Sequence, residues 1–125
     1  MAHAGSSIAA QAQPGFVWPV RVYYEDTDSG GIVYYANYLR FFERARTEWL
    51  RSLGVHQQAL KDETGGMFVV TDTALSYKLP ARLDDELLVT ARITHAGRAS
   101  LQLQQQAYKV VGQEKILLCE GTIRI

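Results

Sequence analysis

The hydrophobic period of this chain is about 3.6 residues over residues 38–53 and changes to two residues after Gly66. Apolar residues three and four positions apart predict one long amphipathic helix over residues 38–53. Asn37 stands where an N-terminal cap is expected, and Gly54 where a C-terminal cap is expected. The apolar face of this helix is wide and aromatic, which indicates packing against a sheet. It consists of Tyr38, Phe41, Phe42, Ala45, Trp49 and Leu53.

Strand patterns lie on both sides of this helix. Residues 17–24 are rich in β-branched and aromatic side chains and contain Pro19, which indicates an edge strand. Residues 55–63 are expected to form a second, shorter helix. After two glycines at positions 65 and 66, apolar alternation predicts strands over residues 67–77, 87–94, 101–108 and 117–125.

Short breaks separate the last four strands and predict antiparallel hairpins in a four-strand meander. The breaks contain Pro80, Gly97 and Gly112. One long helix and a sheet make an α+β layout, and since only one long helix can cover the sheet, the sheet is expected to curl around it. Open sheet edges favour pairing across a two-fold axis, so we expect a homodimer at least.

Composition sets the domain count and excludes several classes of protein. A length of 125 residues suits one domain, which we place at residues 16–125 after a disordered tail at residues 1–15. Thirteen basic residues balance thirteen acidic ones, so no global field would attract nucleic acid. No apolar stretch approaches the ~18 residues of a membrane span, and the tail lacks the basic start and apolar core of a signal peptide. A cytoplasmic protein is therefore expected.

Several common site types are missing from the sequence. The single cysteine, Cys119, excludes an internal disulfide and is expected to be a buried small residue. No Cys/His pair has metal-ligand spacing, and no glycine pattern suits a phosphate loop or a dinucleotide fold. We therefore expect neither a metal nor a cofactor.

The densest polar cluster is residues 25–31 (EDTDSGG), which precede the apolar run of residues 32–35 (IVYY). One interpretation is a solvated turn whose aspartates bond their own backbone. The other is a ligand loop, whose glycines let backbone N–H groups approach a carbonyl oxygen closely. The residue types alone leave both interpretations open.

Residues 21–50 (RVYYEDTDSGGIVYYANYLRFFERARTEWL) resemble the signature of the hotdog-fold acyl-CoA thioesterases of the 4-hydroxybenzoyl-CoA thioesterase family. They are most similar to the YbgC-like branch, which is encoded beside the bacterial Tol–Pal system. The likeness continues more loosely through the later strands. It implies a hotdog fold, in which a curved antiparallel β-sheet wraps one long central α-helix. It also implies dimers with active sites between subunits, often paired into tetramers, so we expect a homotetramer.

The resemblance implies that the chain hydrolyses acyl-CoA to free acid and CoA. Asp28 matches the family's catalytic aspartate, which acts as a nucleophile or as a general base. The backbone N–H of Tyr35 matches the group that polarises the thioester carbonyl. At the positions of residues 33–38, members of this branch usually have a sequence similar to Val-Tyr-His-Ala-Asn-Tyr, whereas this chain has Tyr35 in place of the histidine. Because of this difference, the resemblance does not decide whether the acyl group of the substrate is aromatic or aliphatic.

Other residues are expected to bind the substrate or to serve the fold. The phosphates of coenzyme A need local cations, for which Lys78, Arg82 and Arg98 are candidates near predicted strand ends. Gly31 is a candidate backbone contact. Glu25 and Asp26 are expected to serve the fold or solubility, and three tyrosines to line the core or a pocket: Tyr24, Tyr34 and Tyr38.

Three alternatives to this function remain open. The substrate carrier could be acyl-carrier protein instead of CoA. The chain could be a non-catalytic acyl-CoA- or acyl-carrier-protein-binding partner of envelope or lipid-synthesis machinery. It could also be a hotdog dehydratase, although that chemistry generally needs a histidine beside the carboxylate and residues 21–50 contain none.

Overall fold

The computed structural model describes most of the region predicted to be the domain. The described residues are 15–54, 56, 58, 62, 69–98 and 100–125. They form five strands and one long helix: β1 (Phe16–Arg21), α1 (Tyr38–Ser52), β2 (Asp72–Tyr77), β3 (Glu86–Ala96), β4 (Leu101–Val111) and β5 (Glu114–Arg124). Two 3₁₀ turns, Tyr24–Asp26 and Tyr35–Asn37, lie between β1 and α1. The α+β class predicted from the sequence is confirmed.

The strands form one antiparallel sheet in the order β1-β3-β4-β5-β2. The hairpins β3–β4 and β4–β5 confirm two of the predicted short connections, and β1 lies at the edge that Pro19 indicated. The predicted four-strand meander is wrong, because β2 pairs with β5 at the far edge of the sheet and not with β3. The position beside β3 is occupied by β1, which pairs with it from Phe16↔Ala91 to Arg21↔Glu86.

The helix α1 covers one face of the sheet and supplies the centre of the core. Phe41, Phe42, Ala45 and Trp49 are buried, as the helical period predicts, and Leu50 joins them. They pack over inward-facing sheet residues at alternate positions: Leu87, Val89, Ala91, Ile93, Leu103, Ala107, Cys119 and Ile123. The predicted burial of Cys119 is confirmed.

A fully buried glutamine, Gln105, ties α1 to the sheet. Its Nε2 donates hydrogen bonds to the carbonyl oxygens of Phe42, at 3.0 Å, and Thr90, at 3.1 Å. Its Oε1 accepts a hydrogen bond from Arg46 Nη1 at 2.9 Å. Burial lowers the pKa of the Arg46 guanidinium from its ordinary value. This polar link sets the position of the helix along the sheet, which apolar contacts alone specify less strictly.

The two ends of α1 differ from each other in how they are capped. Gly54 has a φ of +84° and its N–H donates to the Arg51 carbonyl oxygen at 2.9 Å, which confirms the predicted C-terminal cap. Asn37 makes no side-chain hydrogen bond to the helix N-terminus, so its predicted capping role is wrong. The 3₁₀ turn Tyr35–Asn37 leads directly into α1 and extends the helical segment by one turn.

Some predicted features lie outside the described residues. They include the tail before residue 15 and most of the second helix predicted over residues 55–63, of which Gln58 and Asp62 are described and helical. The strand predicted over residues 67–77 begins later, since residues 69–71 are described and are not strand. Within the described ranges, no helix is both long and apolar enough to cross a membrane.

Candidate active site

The acidic, glycine-bearing segment forms a short antiparallel arm with a tight turn at its tip. Thr27 and Val33 form a β-bridge, and the Asp28 N–H donates to the Ile32 carbonyl oxygen at 2.9 Å. The Gly31 N–H donates back to the Asp28 carbonyl oxygen at 3.0 Å and closes the turn. Gly31 has a φ of +80°, a conformation that residues with a Cβ seldom adopt. The turn therefore needs glycine at this position and begins at Asp28.

The Asp28 carboxylate is exposed and only partly engaged. Its Oδ1 accepts a hydrogen bond from the Gly30 N–H at 2.8 Å, the local bond that the solvated-turn interpretation predicts. A Cβ at Gly30 would lie 3.2 Å from that oxygen, so glycine permits the close approach. The other oxygen, Oδ2, has no hydrogen-bond partner among the described residues. The carboxylate is thus oriented through one oxygen while the other is available for chemistry.

Tyr35 begins the helical segment that continues into α1. The Asn37 N–H donates to the Tyr34 carbonyl oxygen and the Tyr38 N–H to the Tyr35 carbonyl oxygen, as in any helical first turn. The Tyr35 N–H has no acceptor in the described part of the chain. It lies at the positive end of the helix dipole, where a developing oxyanion is stabilised.

A cleft of about 250 Å³ opens beside Tyr35. The ring centroid of Tyr77 lies 5.9 Å from that of Tyr35 and 5.8 Å from that of Tyr38. Burial raises the pKa of Tyr38 to about 12, which suits a cleft wall and not a proton donor at neutral pH. Besides these three tyrosines, the lining consists of Ile32, Val33, Lys78, Leu79 and Pro80.

The candidate cations have different positions relative to this cleft. Lys78 lines it, and Arg82 forms a β-bridge with Ile32, next to the Asp28 turn. Arg98 follows β3, whose eleven residues extend about 33 Å from the end near Arg82. A single chain therefore does not bring Arg98 to the cleft. Gly31 lies at the arm's tip, but its N–H is already donated to Asp28.

The tyrosines expected to be core or pocket wall also differ. Tyr38 is buried and lines the cleft, as predicted. Tyr34 and Tyr24 are exposed, the second by 81%, so neither belongs to the core of a single chain. The expectation that Asp26 serves the fold is confirmed, since its carboxylate is buried and hydrogen-bonded.

Sequence reasoning missed two features of this site. The first is Tyr77, which lines the cleft although nothing in the period of its strand indicates one. The hydrogen bond between Asp26 and Asn37 spans eleven residues and was not predicted. Only the pairing of the two strands of the arm across the glycine turn could have predicted this hydrogen bond. Among the described residues, no histidine lines the cleft and no three side chains are grouped as metal ligands.

Comparison with known proteins identifies the family. The family model described as Thioesterase superfamily matches residues 30–116. This chain belongs to the thioesterase superfamily. This superfamily member is 44% identical over 111 residues to the acyl-CoA thioesterase YbgC of Haemophilus influenzae. The aligned region covers 89% of this chain and 79% of the relative. The chain is accordingly a thioester hydrolase.

Solved thioesterase structures superpose on this superfamily member. A probable thioesterase from Bartonella henselae is 33% identical, with a TM-score of 0.79 and coverage of 88% of each chain. A 4-hydroxybenzoyl-CoA thioesterase complexed with 4-hydroxybenzoyl-CoA is 22% identical, with a TM-score of 0.82 over 89% of this chain and 82% of that one. At that identity the likeness shows the fold alone, and it confirms the predicted hotdog fold.

Proposed function

We propose that this thioesterase hydrolyses acyl-CoA to free acid and CoA, with Asp28 as the catalytic carboxylate and the Tyr35 N–H as the donor to the carbonyl oxygen. The observation that carries the proposal is that one short arm presents both groups. An unengaged carboxylate oxygen lies at its turn, and a free helix N-terminal N–H lies where it ends. Between them, Ile32 and Val33 form one wall of the cleft.

Two routes use these groups, and both consume one water. In the first, Asp28 attacks the thioester carbon, the C–S bond breaks to release CoA thiolate, and water then hydrolyses the mixed anhydride. In the second, Asp28 takes a proton from the water that attacks the carbon. In either route negative charge develops on the carbonyl oxygen, and the Tyr35 N–H stabilises it. The thiolate leaves and takes up a proton.

The cleft provides a place for the acyl group, and the cations a place for coenzyme A. The tyrosine rings and the apolar side chains around them suit an uncharged acyl chain or ring. Lys78 lines this cleft and Arg82 is bridged to Ile32 in its wall, which supports a role for both in binding phosphate groups at the rim. Arg98 would join them only if a second copy of the chain supplied it. Gly31 would offer substrate its open Cα side.

The alternative functions have less support. Membership of the thioesterase superfamily favours hydrolysis over a non-catalytic binding role. Dehydration of hydroxyacyl thioesters generally needs a histidine, and the described lining of the cleft contains none. A cytoplasmic location, a role beside the Tol–Pal system and the use of acyl-carrier protein stay predictions.

A hydrolysis panel over short, long and aromatic acyl-CoAs tests the proposed function. Release of CoA thiol from at least one class is the expected result, and the ratio of kcat/KM values ranks acyl groups for the cleft. Measurable acyl-CoA binding without turnover of any substrate would contradict the proposal and favour the binding module. Appearance of an enoyl product from a hydroxyacyl-CoA would favour the dehydratase.

A further inference from the structure

We propose that Asp26 and Asn37 are a positioning pair that holds the Tyr35 N–H in the place where it polarises the thioester carbonyl. This inference rests on the proposed function, because it assumes that the Tyr35 N–H contacts substrate. Neither member of the pair is expected to touch the substrate itself.

The Asp26 carboxylate joins two separate parts of the site. It is only 4% exposed. Its Oδ1 accepts a hydrogen bond from Asn37 Nδ2 at 2.8 Å, and its Oδ2 accepts one from the Tyr23 N–H at 2.9 Å. A buried carboxylate is costly without hydrogen-bond partners. One bond to each oxygen meets this need and fixes the orientation of the carboxylate.

The Asp26 side chain holds Asn37, and the Asp26 backbone holds Tyr34, at the other end of the turn formed by residues 34–37. The Asp26 carbonyl oxygen accepts a hydrogen bond from the Tyr34 N–H at 3.1 Å. The Asn37 N–H donates to the Tyr34 carbonyl oxygen at 2.8 Å and closes residues 34–37 into one turn. Both ends of this turn are therefore attached to Asp26, and Tyr35 lies between them.

The direction of the Asn37 side chain favours positioning over simple capping. An asparagine before a helix usually accepts a hydrogen bond from one of the first free N–H groups. Here it makes no such bond, and its amide donates instead to Asp26. The first turn is consequently held in place from outside while the Tyr35 N–H keeps its capacity to bind a ligand.

Asp26 also relates the two functional groups to each other. It ends the 3₁₀ turn that leads into the arm, two residues before Asp28, and it holds the turn that follows the arm. A shift of Asp26 would therefore change the position of the N–H relative to the carboxylate. A misplacement of about 1 Å in such a geometry can lower the rate by about 10²-fold.

The test compares single variants with an exchange of the two side chains. Asp26→Asn leaves one donor facing another, and Asn37→Asp places two carboxylates together. In the double variant Asp26→Asn/Asn37→Asp, the new amide oxygen accepts the Tyr23 N–H and its NH₂ group donates to the new carboxylate. We expect each single variant to lower kcat by about 10- to 10²-fold with a nearly unchanged KM, and the exchange to restore most of it.

A spectroscopic measurement separates positioning from folding. In the Asp28→Asn background, which should hold the thioester uncleaved, donation from the Tyr35 N–H lowers the carbonyl stretching frequency of the bound substrate. We expect Asn37→Ala or Asn37→Asp to move that frequency back toward the free thioester, and the exchange to reverse the move. Circular dichroism gives the folded fraction to which each kcat is referred.

The possible outcomes distinguish this inference from the proposed function. If the single variants lower only Tm, while kcat per folded molecule and carbonyl frequency stay as in wild type, the pair is structural and the inference is overturned. If Asp28→Asn itself keeps the wild-type kcat, the proposed function fails instead. If Asp26→Asn does not fold, the milder Asn37→Ala decides by the same two readouts.

Discussion

Asp26 and Asp28 lie two residues apart but have opposite surroundings. Asp26 is buried, and hydrogen bonds engage both of its carboxylate oxygens. Asp28 is exposed and has one oxygen without a partner among the described residues. A nucleophile or base needs an accessible lone pair, so the geometry separates the two aspartates as the family likeness did. The local pattern of residues 25–31 does not predict which aspartate is buried and which is exposed, because both side chains occur in one acidic segment.

Replacing Gly31 tests the turn at the residue scale. No atom of the described residues lies within 4 Å of the position that a Cβ would take, so the expected cost of Gly31→Ala comes from its φ of +80°. We expect a loss of about 1–2 kcal/mol in the free energy of unfolding, measured by urea denaturation. Gly31→Asn should cost less, because asparagine tolerates this conformation better. Equal stability of Gly31→Ala and wild type would contradict a positive φ at this position.

The accessibility of Cys119 gives a second prediction at this scale. Burial raises the pKa of its thiol to about 12, so the thiol stays protonated in the folded protein at pH 8. We expect no reaction with a thiol reagent at pH 8 until the protein is unfolded with urea. Since the folded pKa lies above the ordinary value of 9.0, the thiol's contribution to stability is present below pH 9 and is lost as the pH rises toward 12. Rapid labelling of folded protein would contradict its burial.

At the scale of elements, two kinds of signal predicted different parts of the fold. The hydrophobic period predicted the apolar face of α1, because burial imposes a period on each element. The short breaks at Gly97 and Gly112 predicted the hairpins β3–β4 and β4–β5. The position of β2 was not predicted, since residues such as Pro80 indicate where a strand ends and not which strand it pairs with. The Asp26–Asn37 bond was missed for a similar reason, because it depends on a register across eleven residues.

The polar link between α1 and the sheet gives the prediction at this scale. Gln105→Leu removes the hydrogen bonds to the Phe42 and Thr90 carbonyl oxygens and leaves the Arg46 guanidinium without its acceptor. We expect a loss of about 1–3 kcal/mol in the free energy of unfolding, measured by chemical denaturation. Gln104→Leu is the matched control on the opposite face of β4, and we expect it to change stability by less than about 0.5 kcal/mol. Similar values for both variants would refute the link.

At the scale of the whole molecule, the described part of a single chain exposes apolar side chains and one sheet edge. The outer edge of β2 is paired with no strand in the described ranges, and β2 is mostly exposed. Near this edge, Tyr77 is 47% exposed and Tyr35 60%. Such surfaces are typical of regions that a second copy covers.

The mass of the protein in solution tests this expectation. We predict at least a homodimer, and a homotetramer by family likeness, measured by light scattering coupled to size-exclusion chromatography. A charged substitution on the exposed strand, Ala74→Asp, should lower the mass without unfolding the chain. The control is Val17→Asp, at an exposed apolar residue of β1 on the opposite edge of the sheet. A monomeric mass for the wild type at micromolar concentration would contradict a shared active site.

The balance of charge has a consequence at the same scale. With thirteen basic and thirteen acidic residues, the chain has no net field to attract a polyanion. The proposed binding of coenzyme A would therefore depend on individual cations, for which Lys78 and Arg82 are the candidates.

The most direct measurement is the steady-state rate of acyl-CoA hydrolysis by wild type, Asp28→Asn and Asp72→Asn, each with its fold checked by circular dichroism. Asp72 is the matched control, an exposed aspartate at the end of β2 away from the cleft. We expect Asp28→Asn to lower kcat by at least about 10²-fold and Asp72→Asn to leave it near the wild-type value. Comparable rates for Asp28→Asn and wild type on every substrate would contradict the assignment of Asp28 as the catalytic carboxylate.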